Sequence, residues 1–161
     1  MSFDRIPRRL VLISLVGLAG CGFVPVYGQD EGLRARVDFE TDETVAGYRL
    51  RERLEERLGR SDAPQYLLKT NVRSRQRSAA ITSEGDTLRL NIIGTATWTF
   101  EATASGESIA EGEVEAFTSY SASASTIATQ ATRDDAEARL SVMLADLIVS
   151  RLLILAPERT R

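Results

Sequence analysis

From Thr87 to Thr103 every second residue is apolar or small: Leu88, Leu90, Ile92, Gly94, Ala96, Trp98 and Phe100. A helix would scatter these seven side chains around its axis, whereas a strand gathers them on one face. The chain is therefore built around one long, one-sided strand. A tight turn at Ala104-Ser105-Gly106 then sends it back along Glu107 to Tyr120. Slipping this pair by one residue would turn an apolar face to solvent, so parity restricts the register. Pairing Thr99 with Glu111 sets Trp98 opposite Gly112, Ala96 opposite Val114 and Gly94 opposite Ala116, large against small. The other face then matches Thr99, Thr97 and Thr95 with Glu111, Glu113 and Glu115.

The same reasoning assigns the flanking segments. A first strand is expected over Leu33 to Glu40, where Leu33, Ala35, Val37 and Phe39 alternate with charged residues. A helix follows from about Asp42 to Leu58, with Thr41 or Asp42 as cap, Glu43 at its positive end, and Gly59 then Pro64 as stops. Its apolar stripe is Ala46, Gly47, Leu50, Leu54 and Leu58. Period two returns from Tyr66 to Ser78, with Tyr66, Leu68, Thr70 and Val72 on one side and Lys69, Asn71, Arg73, Arg75 and Arg77 on the other. Ala79 to Asp86 reads as a loop. Pairing Arg77 with Arg89 completes a three-stranded meander and gathers Arg75, Arg77 and Arg89 near that loop.

A last helix begins between Ser125 and Thr132 and ends at Pro157. Leu140, Met143, Leu144, Leu147, Ile148 and Leu155 form its core stripe. Val142, Val149 and Leu153 make a second apolar line on the far side. That line is either a partner contact or the mark of a helix wedged between the sheet and the other helix. Asp146 and Arg151 interrupt the run, so the segment is not a membrane span.

Composition narrows the chemistry. With 161 residues, 43% hydrophobic and 27% charged, the chain suffices for one core. Twenty basic against 23 acidic residues leave a formal charge of −3, the wrong footprint for a nucleic-acid binder. There is no histidine and one cysteine, so a His-based triad, a Cys/His zinc cluster and an intrachain disulfide are all excluded. No metal or cofactor is expected, and no catalysis. A hydrolase built on Ser with Asp or with the single lysine, Lys69, ranks last, since no Gly-x-Ser-x-Gly elbow occurs.

The amino terminus adds an address. Arg5, Arg8 and Arg9 precede an apolar run from Leu10 to Leu18, about half the roughly 20 residues of a membrane span. Leu18-Ala19-Gly20-Cys21 follows directly, a small-residue pair before the only cysteine. This looks like a bacterial lipobox: residues 1–20 are an export signal and Cys21 becomes the lipidated first residue, carrying palmitate-like acyl chains. The alternative is an ordinary secretory signal with a buried Cys21. Residues 21–32 form a tether, 33–157 a single domain and 158–161 a tail.

The fold class is α+β: a two-layer sandwich of a four-stranded sheet with two helices on one face, in the order β-α-β-β-β-α. Leu18 to Phe23 with Pro25-Val26-Tyr27-Gly28, the long strand from Leu88 to Phe100, the Phe117 to Tyr120 strand end and the closing helix with Arg151-Leu152 together resemble the alphaproteobacterial branch of the lipopolysaccharide-assembly lipoprotein family LptE. The resemblance implies an outer-membrane, periplasm-facing lipoprotein. Such a protein plugs the β-barrel LptD, assists its assembly and contacts lipopolysaccharide on its way to the cell surface. Gly22 after the cysteine resembles the outer-membrane sorting pattern of enterobacterial lipoproteins. Enterobacterial members contact lipopolysaccharide through basic residues at places where this chain has Ser83 or Glu84 and Glu113.

The nearest substitute here is Arg73, Arg75, Arg77 and Arg89, whose guanidinium groups suit phosphate. The competing reading is a solvated face whose arginines pair with glutamates. Glu111, Glu113 and Glu115 stand about 7 Å apart along a strand and converge on nothing, which suits a solvated or barrel-facing edge better than a cation site. Trp98 and Tyr66 fall on the core face, where packing accounts for them. A second function class is an auxiliary lipoprotein of a lipid transporter, with the apolar sheet face opening to hold an acyl chain.

Overall fold

Four strands and two helices follow one another as β1 (Val37–Thr41), α1 (Val45–Leu58), β2 (Tyr66–Ile81), β3 (Thr87–Ala102), β4 (Ser108–Ser121) and α2 (Thr126–Leu155). This computed structural model describes residues 32–81, 87–122 and 125–155; the expected signal with Cys21, most of the expected tether and the expected tail lie outside them. The sheet order is β1-β2-β3-β4, with β1 parallel to β2 and the other pairs antiparallel. Both helices cover one face, α1 over β1 and β2, α2 over β3 and β4, and they pack on each other. The expected α+β order β-α-β-β-β-α is the observed one. Among the described residues no helix is long and apolar enough to cross a membrane.

The β3–β4 register is the one expected from parity together with large-against-small pairing: Thr99 faces Glu111, Trp98 faces Gly112, Ala96 faces Val114 and Gly94 faces Ala116. Two glycines make this packing possible. A Cβ on Gly94 would come within 2.8 Å of Leu140 Cδ2, so α2 lies directly on β3 here. A Cβ on Gly112 would come within 2.9 Å of Trp98 Cζ2. Tyr66 stacks on Phe100 with ring centroids 4.9 Å apart, tying β2 to β3 on the core face.

Several local expectations need correction. The first strand begins at Val37, not Leu33, because Ala35 adopts φ 55° in a turn and its N–H donates to Leu58 O at 2.7 Å. This contact fixes the start of β1 to the end of α1. The cap of α1 is Thr44 rather than Thr41 or Asp42: Thr44 Oγ1 accepts from Gly47 N at 3.0 Å, leaving Glu43 outside the helix. Asp42 instead accepts from the Val72 amide at 3.1 Å, bonding the helix entry to β2. Gly59 at φ 78° closes α1, its N–H donating to Glu55 O. Thr44→Ala removes one capping bond and is expected to lower the unfolding free energy by about 1 kcal/mol, read from urea denaturation.

Ala79 to Ile81, expected in a loop, continue β2 through irregular pairing. Arg77 consequently faces Asn91, not Arg89, which pairs with Ala80. A two-residue slip keeps every side chain on its own face, so parity could not separate these two registers.

Helix α2 starts at Thr126, inside the expected window. Its buried arc is wide: Ala136, Leu140, Ser141, Leu144, Ala145, Ile148, Val149 and Leu152. Arg53 and Arg57 of α1 both donate to Asp146, at 3.1 and 3.2 Å, so the acid that interrupts the apolar run bridges the two helices. The hydrogen bond to Asp146, then that to Glu56, raises the Arg53 guanidinium above its ordinary value.

Candidate functional site: the outer face of the sheet

The face turned away from the helices is built by the odd-numbered residues of three strands. Cross-strand pairing sets them in rows: Arg73, Thr95, Glu115; then Arg75, Ile93, Phe117; then Arg77, Asn91, Ser119. Arg89 comes two residues beyond Asn91 on the same strand, so all four predicted arginines lie toward one end of one face, each of them exposed. Successive arginines on β2 are about 7 Å apart and adjacent strands about 4.8 Å. A shallow depression of about 350 Å³ runs between them, lined by Arg73, Arg75, Ile93, Thr95, Glu113 and Glu115 among others.

Charge on this face is unevenly paired. Lys69 meets Glu101 at 2.9 Å, and that hydrogen bond, its largest influence, raises the ammonium above its ordinary value. A lysine held protonated in this way makes a poor general base. Arg75 approaches Glu115 at 3.7 Å, both largely exposed, a weak and screened pair. No acidic partner is found within salt-bridge distance of Arg73, Arg77 or Arg89 among the described residues. Glu111, Glu113 and Glu115 lie opposite Thr99, Thr97 and Thr95. The described residues contain no group of three acidic residues placed to hold a metal ion.

Two residues of this face escaped the sequence reading. Phe117 is 67% exposed, and its cross-strand neighbour Ile93 is half-buried. The signal was available in parity: Phe117 shares it with Glu111, Glu113 and Glu115, and Ile93 with Thr95 and Thr97.

Of the line Val142, Val149 and Leu153 on α2, Val149 lies in the core and so is not available as a partner contact. Val149 is 0% exposed, Leu153 packs against the core and Val142 is partly exposed. Helix α2 contacts both the sheet and α1, so its buried arc takes in the supposed far side. Met143, Leu147 and Leu155, expected in the core, are partly exposed instead, with Ile154 at 66%. The inner sheet face, which an acyl carrier would have to open, is closed by the fully buried Leu50, Leu54, Leu144 and Ile148. A depression of about 730 Å³ lies at the rim between β1 and α1. Its wall is charged: Glu55 binds both Arg51 and Arg60. Burial raises the Glu55 carboxyl, but the two arginine hydrogen bonds outweigh it and leave it below the ordinary carboxylate value.

The sequence model of the family LptE, described as lipopolysaccharide-assembly, matches residues 35–152. The fold resembles a lipoprotein of Caulobacter crescentus (21% identity, TM-score 0.66, 79% of this chain and 95% of that one). It also resembles the rare lipoprotein B of Shewanella oneidensis (11%, 0.62, 78% and 98%) and a minor lipoprotein of Acinetobacter baumannii (16%, 0.56, 79% and 95%). At these identities the likeness is one of fold. No curated protein matches the sequence.

Proposed function

Because the chain belongs to the lipopolysaccharide-assembly family LptE, we propose that it is an outer-membrane lipoprotein, anchored through Cys21, that plugs the β-barrel LptD and assists its assembly. In this reading it takes part in lipopolysaccharide insertion at the cell surface, without catalysis. The observation that carries the reading is the family match, which spans the folded domain from the turn before β1 into the last turns of α2. The architecture suits a plug: a two-layer wedge with one apolar core between helices and sheet, exposed apolar side chains such as Met143, Leu147 and Ile154 on α2, and a mostly polar outer sheet face.

On that outer face Arg73, Arg75, Arg77 and Arg89 are the proposed contacts for lipopolysaccharide phosphate. Charge-assisted bonds from guanidinium groups are stronger than neutral ones, and three of the four lack an acidic partner among the described residues. Affinity purification of the tagged, detergent-extracted protein is expected to recover a large outer-membrane β-barrel in about equal amount, identified by mass spectrometry. Recovery of inner-membrane transporter subunits, or of bound lipid without a barrel, would overturn the reading in favour of a lipid carrier.

A further inference from the structure

We infer that Phe117 and Ile93 form an acyl-chain contact beside the arginines, and that Glu115 occupies Arg75 until the phosphate of the same lipid displaces it. This rests on the lipopolysaccharide reading above and adds to it an apolar half and an internal competitor. Arg75, Ile93 and Phe117 lie in one cross-strand row, with Arg73 and Arg77 in the rows on either side. Across two strand spacings the row places a cation and an exposed aromatic about 10 Å apart.

An aromatic ring 67% exposed on the solvent face of a sheet loses apolar contact unless something covers it. A ligand suited to this row covers the ring and also complements the charge beside it, since Arg73 and Arg77 are exposed and have no acidic partner among the described residues. Free phosphate meets the second condition and not the first. A phosphorylated acyl lipid meets both within the span of one molecule. The Arg75–Glu115 pair, at 3.7 Å and exposed on both sides, is weak enough to exchange for a phosphate oxygen.

The test uses the full-length chain in cells with its barrel. With the photo-crosslinker p-benzoylphenylalanine incorporated at position 117, irradiation should give an adduct whose mass is that of a phosphorylated acyl lipid. The same probe at Tyr48, 60% exposed on α1, should give none. Glu115→Gln should raise the yield of lipid adduct about two- to threefold by freeing Arg75, and Arg75→Gln should lower it. Glu111→Gln, the same change of charge on the same strand about 14 Å away, should leave the yield unchanged.

Adducts to polypeptide alone would make this face a barrel contact and overturn the inference, as would the absence of any adduct. A yield that Glu115→Gln leaves unmoved, or that Glu111→Gln moves as much, would remove Glu115 as the competitor. The barrel recovered with each variant reports folding. Loss of barrel from the unsubstituted protein would strike the plug reading; a retained barrel without lipid adduct would strike only this inference.

Discussion

With Cys21→Ala, and a conventional cleavable secretory signal in place of residues 1–20, the protein is expected to leave the membrane fraction and become soluble in the periplasm. The unaltered chain should stay with the membrane through washes of high salt. Each buried methylene contributes about 0.8 kcal/mol, but one acyl chain gives only reversible attachment, so stable anchoring needs two signals or more. A lipidated amino-terminal cysteine supplies several chains, and its loss removes them together. Cell fractionation with immunoblotting reads the outcome. If both forms were soluble, Leu18 to Cys21 would be part of an ordinary signal, and outer-membrane placement would need another cause.

Trp98→Ala should produce the largest loss of stability of any single core substitution, about 3–5 kcal/mol. Trp98 is buried in the middle of β3 and lies flat over Gly112, whose missing side chain leaves the room it fills. Alanine would leave a cavity that neither backbone can close, since β3 is paired on both sides. Trp98→Phe should cost far less, below about 1.5 kcal/mol. It keeps a ring over the glycine and removes an indole N–H that has no protein acceptor among the described residues. Urea denaturation followed by circular dichroism distinguishes the two, because either change deletes the only tryptophan and with it the fluorescence signal. Equal losses for both variants would mean that the N–H, not the ring, holds this site.

Both results concern residues whose role is legible in the amino-acid sequence. Period two places Trp98 on the core face, and pairing large against small finds Gly112. Such information is local and binary, and it fails where two arrangements share one pattern. Arg77 opposite Asn91 preserves the same faces as Arg77 opposite Arg89, so the choice falls to contacts such as the Tyr66–Phe100 stack, which involve particular atoms. On α2 the difficulty is different. A helix lodged between a sheet and a second helix buries more than half its circumference, so Val149 and Met143 exchange the environments that a single stripe would give them. Ala35 carries no sign of its left-handed backbone in its own chemistry; the contact with Leu58 imposes it.

For the outer face, alternation groups the arginines correctly on one side but passes over Phe117 and Ile93. In a row of charged and hydroxyl neighbours, one aromatic reads as noise until its exposure is known. The resemblance to LptE supplies what neither period nor parity could, an expected partner and an expected cargo.

Strand β1 covers β2 only from Tyr66 to Thr70. Beyond that point β2 has a strand neighbour on one side only among the described residues, and its positions from Arg73 to Ser78 are all exposed. A run of bare backbone amides and carbonyls invites another chain to add to the sheet. Arginines at alternate positions along that edge set like charges against each other whenever two copies approach edge to edge. Asp42 meanwhile occupies the Val72 amide at the point where the uncovered stretch begins. The strip of positive charge thus also opposes edge-to-edge pairing of two copies of the chain.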